Sequence, residues 1–125
     1  MTGLSIRIDF APSGSALGPG MVQLLELVGE KGSIRAAGVS MGMSYRTAWL
    51  LVEDIQKTFN GKVVSTTNAG SQLTELGRKI IRLYRDVESR AKESTRQQRK
   101  TLAALVPKDA PRRQGRSTRK LLKQA

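Results

Sequence analysis

The sequence predicts a mainly α-helical fold with a small β element, in the α+β class. Three observations carry that prediction. Residues 32–59 hold two serine-capped helical patterns on either side of a turn centred on Gly42. A β-branched run, Lys62-Val63-Val64-Ser65-Thr66-Thr67, follows and is broken by Asn68-Ala69-Gly70. A long amphipathic pattern then opens at Thr74.

Element by element, Leu4, Ile6, Ile8 and Phe10 alternate with Ser5, Arg7 and Asp9, the period of a half-buried strand. Residues 11–20, with Pro12, Gly14, Gly18, Pro19 and Gly20, read as a loop. A helix over 21–30 presents Met21, Leu24, Leu25, Leu27 and Val28, and Gly29 and Gly32 loosen its end. Ser33 caps the next helix, with Ile34, Ala37 and Val39 towards the core. Gly42 suits a positive φ, and Met43 plugs the core. In the helix over 44–59, capped by Ser44, Ala48, Val52, Ile55 and Phe59 form the buried stripe. Trp49 lies beside that stripe and reads as core with a polar edge, a ligand or base contact being the alternative, while Glu53, Gln56 and Lys57 face outward. Residues 62–73 form a hairpin around a three-residue turn, 68–70.

The last helix, over 74–93, carries Leu76, Ile80, Leu83 and Val87 at 4-3-4 spacing. Such a stripe packs on its own domain or forms a dimer seam. The run outlasts the body it has to cover, which favours the dimer.

The chain has 22 Lys and Arg against 10 Asp and Glu, a formal net charge of +12. Residues 1–95 hold 12 of the basic and 9 of the acidic side chains; residues 96–125 hold 10 basic side chains and only Asp109. The expected organisation is a folded domain over 1–95 and a disordered basic tail over 96–125, with Arg112, Arg113, Arg116, Arg119 and Lys120 available to phosphates. A solubilising tail is the plainer alternative. With no cysteine and no histidine, disulfides, thiolate zinc sites and Cys or His catalysis are excluded. No paired carboxylates and no phosphate-cradling glycine loop are evident, so neither enzyme activity nor a cofactor or metal is expected. The first ten residues lack a charged leader with an apolar run, and no apolar stretch approaches a membrane span. A cytoplasmic, nucleoid-associated protein that avoids membranes is expected.

The order strand, helix, helix, turn, helix, hairpin, long helix describes a winged helix-turn-helix with a long C-terminal dimerisation helix. The wording of the chain resembles the N-terminal DNA-binding domain of ModE-type, molybdate-responsive regulators, which are related to LysR-type regulators. The stretches that carry it are Leu17-Gly18-Pro19-Gly20, Gly32-Ser33-Ile34, Gly42-Met43-Ser44-Tyr45-Arg46-Thr47-Ala48-Trp49 and Leu73-Thr74-Glu75-Leu76-Gly77. The resemblance covers roughly residues 4–90. Molybdate-sensing members carry further oxyanion-binding domains; this chain ends at Ala125, so a stand-alone version without them is expected. The family wing is often longer, glycine-rich and basic, whereas here only Lys62 is charged near it.

A helix-turn-helix presents the start of its second helix to the major groove. Arg46 is the candidate base reader, since a guanidinium bonds guanine twice; a phosphate clamp or a solvated charge is the alternative. Tyr45 and Thr47 suit phosphate or a thymine methyl, unless Tyr45 packs on the preceding helix. Ser33, Arg35, Ser44, Leu50, Lys62, Thr67 and Asn68 complete the expected contact set. The expected partners are double-stranded DNA and a second copy of the chain, in a sequence-specific transcriptional regulator. An architectural nucleic-acid-binding protein driven by the basic tail is the competing reading.

Overall fold

The computed structural model describes residues 3–109, which divide into a body, Gly3–Ser94, and a second unit beginning at Thr95. In the body, β1 (Ile8–Phe10) and β2 (Ser15–Leu17) form one antiparallel hairpin. Helices α1 (Pro19–Lys31), α2 (Ile34–Ser40) and α3 (Tyr45–Phe59) follow. A second hairpin, β3 (Val64–Thr67) with β4 (Gly70–Leu73), leads into α4 (Glu75–Ser94). In the second unit, Arg96–Leu105 form α5.

The first hairpin corrects the expectation of one strand followed by a loop. The chain reverses at Pro12 and Gly14, Gly14 adopting a φ of 75°, so the Ser15–Leu17 segment pairs back on Ile8–Phe10. Leu17 enters the core, and Phe10 meets the ring of Phe59 edge-on at 5.6 Å. Helix α1 begins earlier than expected because Pro19 occupies its first turn, where a missing N–H costs nothing. It ends where Gly32 turns left-handed at φ 73° and donates its N–H to Val28. Gly29 loosens nothing: a Cβ there would lie 2.7 Å from the Leu73 side chain, so its bareness lets β4 approach α1.

The core joins Val22, Leu24, Leu25 and Val28 of α1, Ile34 and Ala37 of α2, and Ala48, Val52 and Ile55 of α3 to Val63, Val64, Ile80 and Tyr84. Contact between α2 and α3 rests on small residues, for a Cβ on Gly38 would stand 2.9 Å from that of Ala48. Gly42 makes the turn at φ 74°, and Met43 packs against the core. Val39, expected inside, is 68% exposed.

Thr74 starts α4 as read: its hydroxyl accepts from the Gly77 N–H at 3.1 Å and donates to the Lys62 carbonyl at 2.6 Å. The expected seam divides along that helix. Ile80 is buried in its own body's core and Leu76 packs against it, because this face of α4, which also carries Tyr84, covers Val63 and α1. Neither side chain is free for a partner. Leu83 and Val87, further along, are 53% and 44% exposed. Arg85 and Glu88 are half-buried: Arg85 bonds Glu26 of α1 at 2.6 Å and Glu88 at 2.9 Å. Its hydrogen bond to Glu26 leads in raising the guanidinium pKa above the ordinary arginine value. The Tyr84 hydroxyl, also buried, donates to the Ile6 carbonyl at 2.6 Å and ties the N-terminal segment to α4.

The expectation of a disordered tail from residue 96 is corrected for its first ten residues, which form α5. Thr95 precedes it and accepts from Arg99 Nε at 3.1 Å; Leu102, Leu105 and Val106 are exposed. Arg112, Arg113, Arg116, Arg119 and Lys120 lie outside the described residues. Among the described residues, no helix is long and apolar enough to cross a membrane.

Candidate nucleic-acid interface

Two capped helix starts and the second hairpin meet on one side of the body. Ser33 accepts the Ala36 N–H at 3.1 Å and starts α2. Ser44 accepts the Thr47 N–H at 3.1 Å and donates its own proton to Thr47 Oγ1 at 3.0 Å. Both serines are thus caps, as their spacing implies, and the Thr47 hydroxyl proton is left for an outside acceptor. Arg35 reaches from α2 to α3: its guanidinium carbon lies 4.5 Å from the centroid of the Tyr45 ring. A cation over an aromatic face is an attractive contact, so Tyr45 packs on the preceding helix while remaining partly open.

The hairpin is docked by three backbone contacts. Ser71 N–H bonds the Gly32 carbonyl at 2.9 Å, and Gln56 Oε1 accepts from Val63 N at 3.1 Å and Val64 N at 3.5 Å. Gln56 was expected on the outward side; its amide instead pins the wing to α3. Gly70 belongs to β4 rather than to the turn, because Thr67 pairs with Gly70 and leaves Asn68-Ala69 as a two-residue turn. Its φ is 121°, and a Cβ there would lie 2.7 Å from the Gly32 carbonyl oxygen, so the position has room for no side chain. Thr67 Oγ1 accepts the Ala69 N–H at 3.2 Å and shapes the tip, where Asn68 is exposed.

Between these parts lies an open groove of about 420 Å³ lined by Ser33, Arg35, Tyr45, Trp49, Thr66 and Ser71, with Gly32, Ile34 and Gly70 at its floor and sides. A smaller depression of about 90 Å³ on the other side of Trp49 is bordered by Glu53, Gln56 and Lys62. Trp49 is therefore not core: it is 45% exposed and stands between the two hollows. The reason is the closeness of α2. With Gly38 against Ala48, the inner face of α3 accommodates small residues, and an indole one position on is turned outward. Arg46 and Leu50 are exposed beside it. Among the described residues, Arg35, Arg46 and Lys62 make no ion pair.

The structure thus brings Ser33, Arg35, Tyr45 and Trp49 together around one groove, and places Ser44, Arg46, Thr47 and Leu50 on the first two turns of α3. Lys62 sits at the wing base and Thr67 and Asn68 at its tip. Sequence reasoning favoured the core for Trp49 and missed Thr66, Ser71 and Gln56 as parts of this side. Strict alternation would have marked Thr66; no local pattern marks the others.

The sequence matches no family model. It is 31% identical over 80 residues to the molybdenum transport protein ModE of Azotobacter vinelandii and 33% identical over 82 residues to the molybdenum-pterin-binding protein MopB of Rhodobacter capsulatus. Those stretches are 60% and 62% of this chain and 30% of each relative. The chain is homologous to these proteins over that part. The solved DNA complex of the CbnR DNA-binding domain superposes with a TM-score of 0.56 at 17% identity, covering 66% of this chain and 94% of that one. CbnR, a LysR family transcriptional regulator, gives 0.53 at 18% identity, covering 63% of this chain and 27% of that one. The fold is a winged helix, mostly helical with two small antiparallel sheets, as expected from the order of elements. The chain spans about a third of the length of its ModE and MopB relatives.

Proposed function

We propose that the protein is a sequence-specific DNA-binding transcriptional regulator that lays the start of α3 in the major groove. The observation that carries this reading is Arg46: exposed, without an ion pair among the described residues, on the first turn of a serine-capped helix beside a docked wing. A guanidinium so placed matches the two acceptors of guanine. Homology to ModE, and the likeness of the fold to a domain solved on DNA, support the same reading. The protein acts without catalysis, in the cytoplasm on the nucleoid. It works as a homodimer through Leu83 and Val87 of α4, so its target is roughly palindromic, with half-sites about one helical turn or a multiple apart. Ser33, Arg35, Thr47, Lys62 and Asn68 position the phosphate backbone.

The charge of residues 96–125, ten basic side chains against one acidic, favours a second reading, an architectural protein held by its tail. Selection of bound sequences from a random duplex pool by the full chain decides between them. A regulator prefers the selected duplex over a scrambled one by about a thousandfold or more at physiological salt. Deleting residues 108–125 then weakens binding to every sequence and flattens the salt dependence. Binding without preference, abolished by the deletion, would overturn the regulator in favour of the architectural protein.

A further inference from the structure

The start of α3 holds more apolar surface than a cap and a base-reading arginine require. Tyr45, Trp49 and Leu50 are each more than two-fifths exposed, within six residues of one helix. Tyr45 is accounted for by Arg35 above its ring. Trp49 and Leu50 are not. At about 100° per residue, Trp49 lies roughly 60° to one side of Arg46 and Leu50 about 40° to the other. Arg46 and Leu50 point away from the buried arc of Ala48, Val52 and Ile55, and Trp49 stands at its edge, about 60° from Val52. Leaving an indole and an isobutyl group in water forgoes the gain of burial, so these positions gain most from a partner that covers them. A guanidinium between them that makes no ion pair among the described residues makes that partner an anionic one.

Duplex DNA meets both demands. In the major groove only thymine carries a methyl group, and apolar side chains recognise it by contact. We infer that Trp49 and Leu50 are specificity-determining residues that read thymine through its C5-methyl group, on either side of the base bonded by Arg46. The inference rests on the proposed DNA-binding function and specifies what its recognition helix reads. It makes a half-site in which the arginine-read pair is flanked by thymines, and it gives Trp49 a role outside the core.

The test is a deoxyuridine scan. The duplex recovered from the random pool is resynthesised with each thymine replaced in turn by deoxyuridine, which removes one methyl and leaves pairing intact. Wild-type protein is expected to lose about fourfold in affinity at the one or two positions per half-site under Trp49 and Leu50. That factor corresponds to about 0.8 kcal/mol for one carbon withdrawn from water. Trp49→Ala and Leu50→Ala bind the thymine duplex more weakly, and each is expected to bind the thymine and deoxyuridine duplexes alike at one of those positions. If the wild-type protein prefers the selected duplex but ignores every methyl, the inference fails and the DNA-binding reading survives. If both variants keep the full methyl response, the assignment to these residues fails. If the wild-type protein prefers no duplex, the DNA-binding regulator and the inference fall together. The scan on wild-type protein needs no variant to fold.

Discussion

Helices α3 and α4 both leave large apolar side chains in water, yet they surround them with opposite electrostatics. On α3, Trp49 and Leu50 flank Arg46, which has no ion pair among the described residues. On α4, Leu83 and Val87 stand among charges that are largely compensated within the body: Arg85 with Glu26 and Glu88, and Arg90 with Asp86 at 3.1 Å. Within residues 82–90, Arg82 is the exception. An uncompensated cation among apolar groups suits a polyanion. A compensated frame suits a second copy of itself, because a two-fold interface sets each surface patch against the same patch and would oppose like charges. On the proposed reading the two exposed faces take different partners, although a count of hydrophobic residues would not tell them apart.

The largest effects separate the inner from the outer side of α4. Ile80→Ala removes a buried side chain of the body's own core and should cost about 2–5 kcal/mol of unfolding free energy. Leu83→Asp removes an exposed one and should leave the helical signal intact while sedimentation at micromolar concentration falls from dimer to monomer mass. Chemical denaturation and analytical ultracentrifugation on the two variants read both outcomes. Dimers that survive Leu83→Asp and Val87→Asp would place the interface elsewhere.

A smaller effect separates α3 from α4. Arg46→Ala should cost about 1–3 kcal/mol on the selected duplex, about five- to 140-fold in affinity, and little on scrambled DNA. Arg85→Ala should do the reverse: it releases Glu26 and Glu88, lowers the unfolding midpoint and leaves the ratio of selected to scrambled binding unchanged. Equal losses on both duplexes for Arg46→Ala would make it a phosphate clamp.

What the sequence made legible was whatever depends on near neighbours. Ser33, Ser44 and Thr74 cap helices because the bond each accepts comes from three residues away, and Gly42 turns the chain by its own φ. The stripe of Ala48, Val52 and Ile55 follows from helical period alone. The exposure of Trp49 is not written locally, because it depends on how closely α2 approaches α3, which Gly38 sets eleven residues earlier in the chain. Gln56 escapes a local reading for the same reason, since its partners are the amides of Val63 and Val64. The stripe from Leu76 to Val87 is real but has two destinations, because α4 turns Gly77, Ile80 and Tyr84 to the core and leaves Leu83 and Val87 to one side of that line, and the spacing does not register which side faces the body.

The smallest expected effect lies on the inner face of α4, at Tyr84. Its buried hydroxyl donates to the Ile6 carbonyl at 2.6 Å. Burial, then the charge of Glu88, raise its pKa above the ordinary tyrosine value, against an opposing pull from Arg85. Below about pH 10 the hydroxyl is protonated in both folded and unfolded chains, and its contribution is fully present. As pH rises further, the unfolded chain releases this proton first. It then binds fewer protons than the native state, so stability falls until the native hydroxyl also ionises. Tyr84→Phe should cost about 1 kcal/mol at neutral pH through loss of the hydrogen bond. It also removes that alkaline slope, so the gap between wild type and variant should narrow as pH rises from about 10 to about 11. Lysines titrate equally in both proteins and drop out of the difference. Urea denaturation of the pair across that range measures it, and a gap that stays constant would mean that the hydroxyl ionises as freely in the folded chain as in the unfolded one.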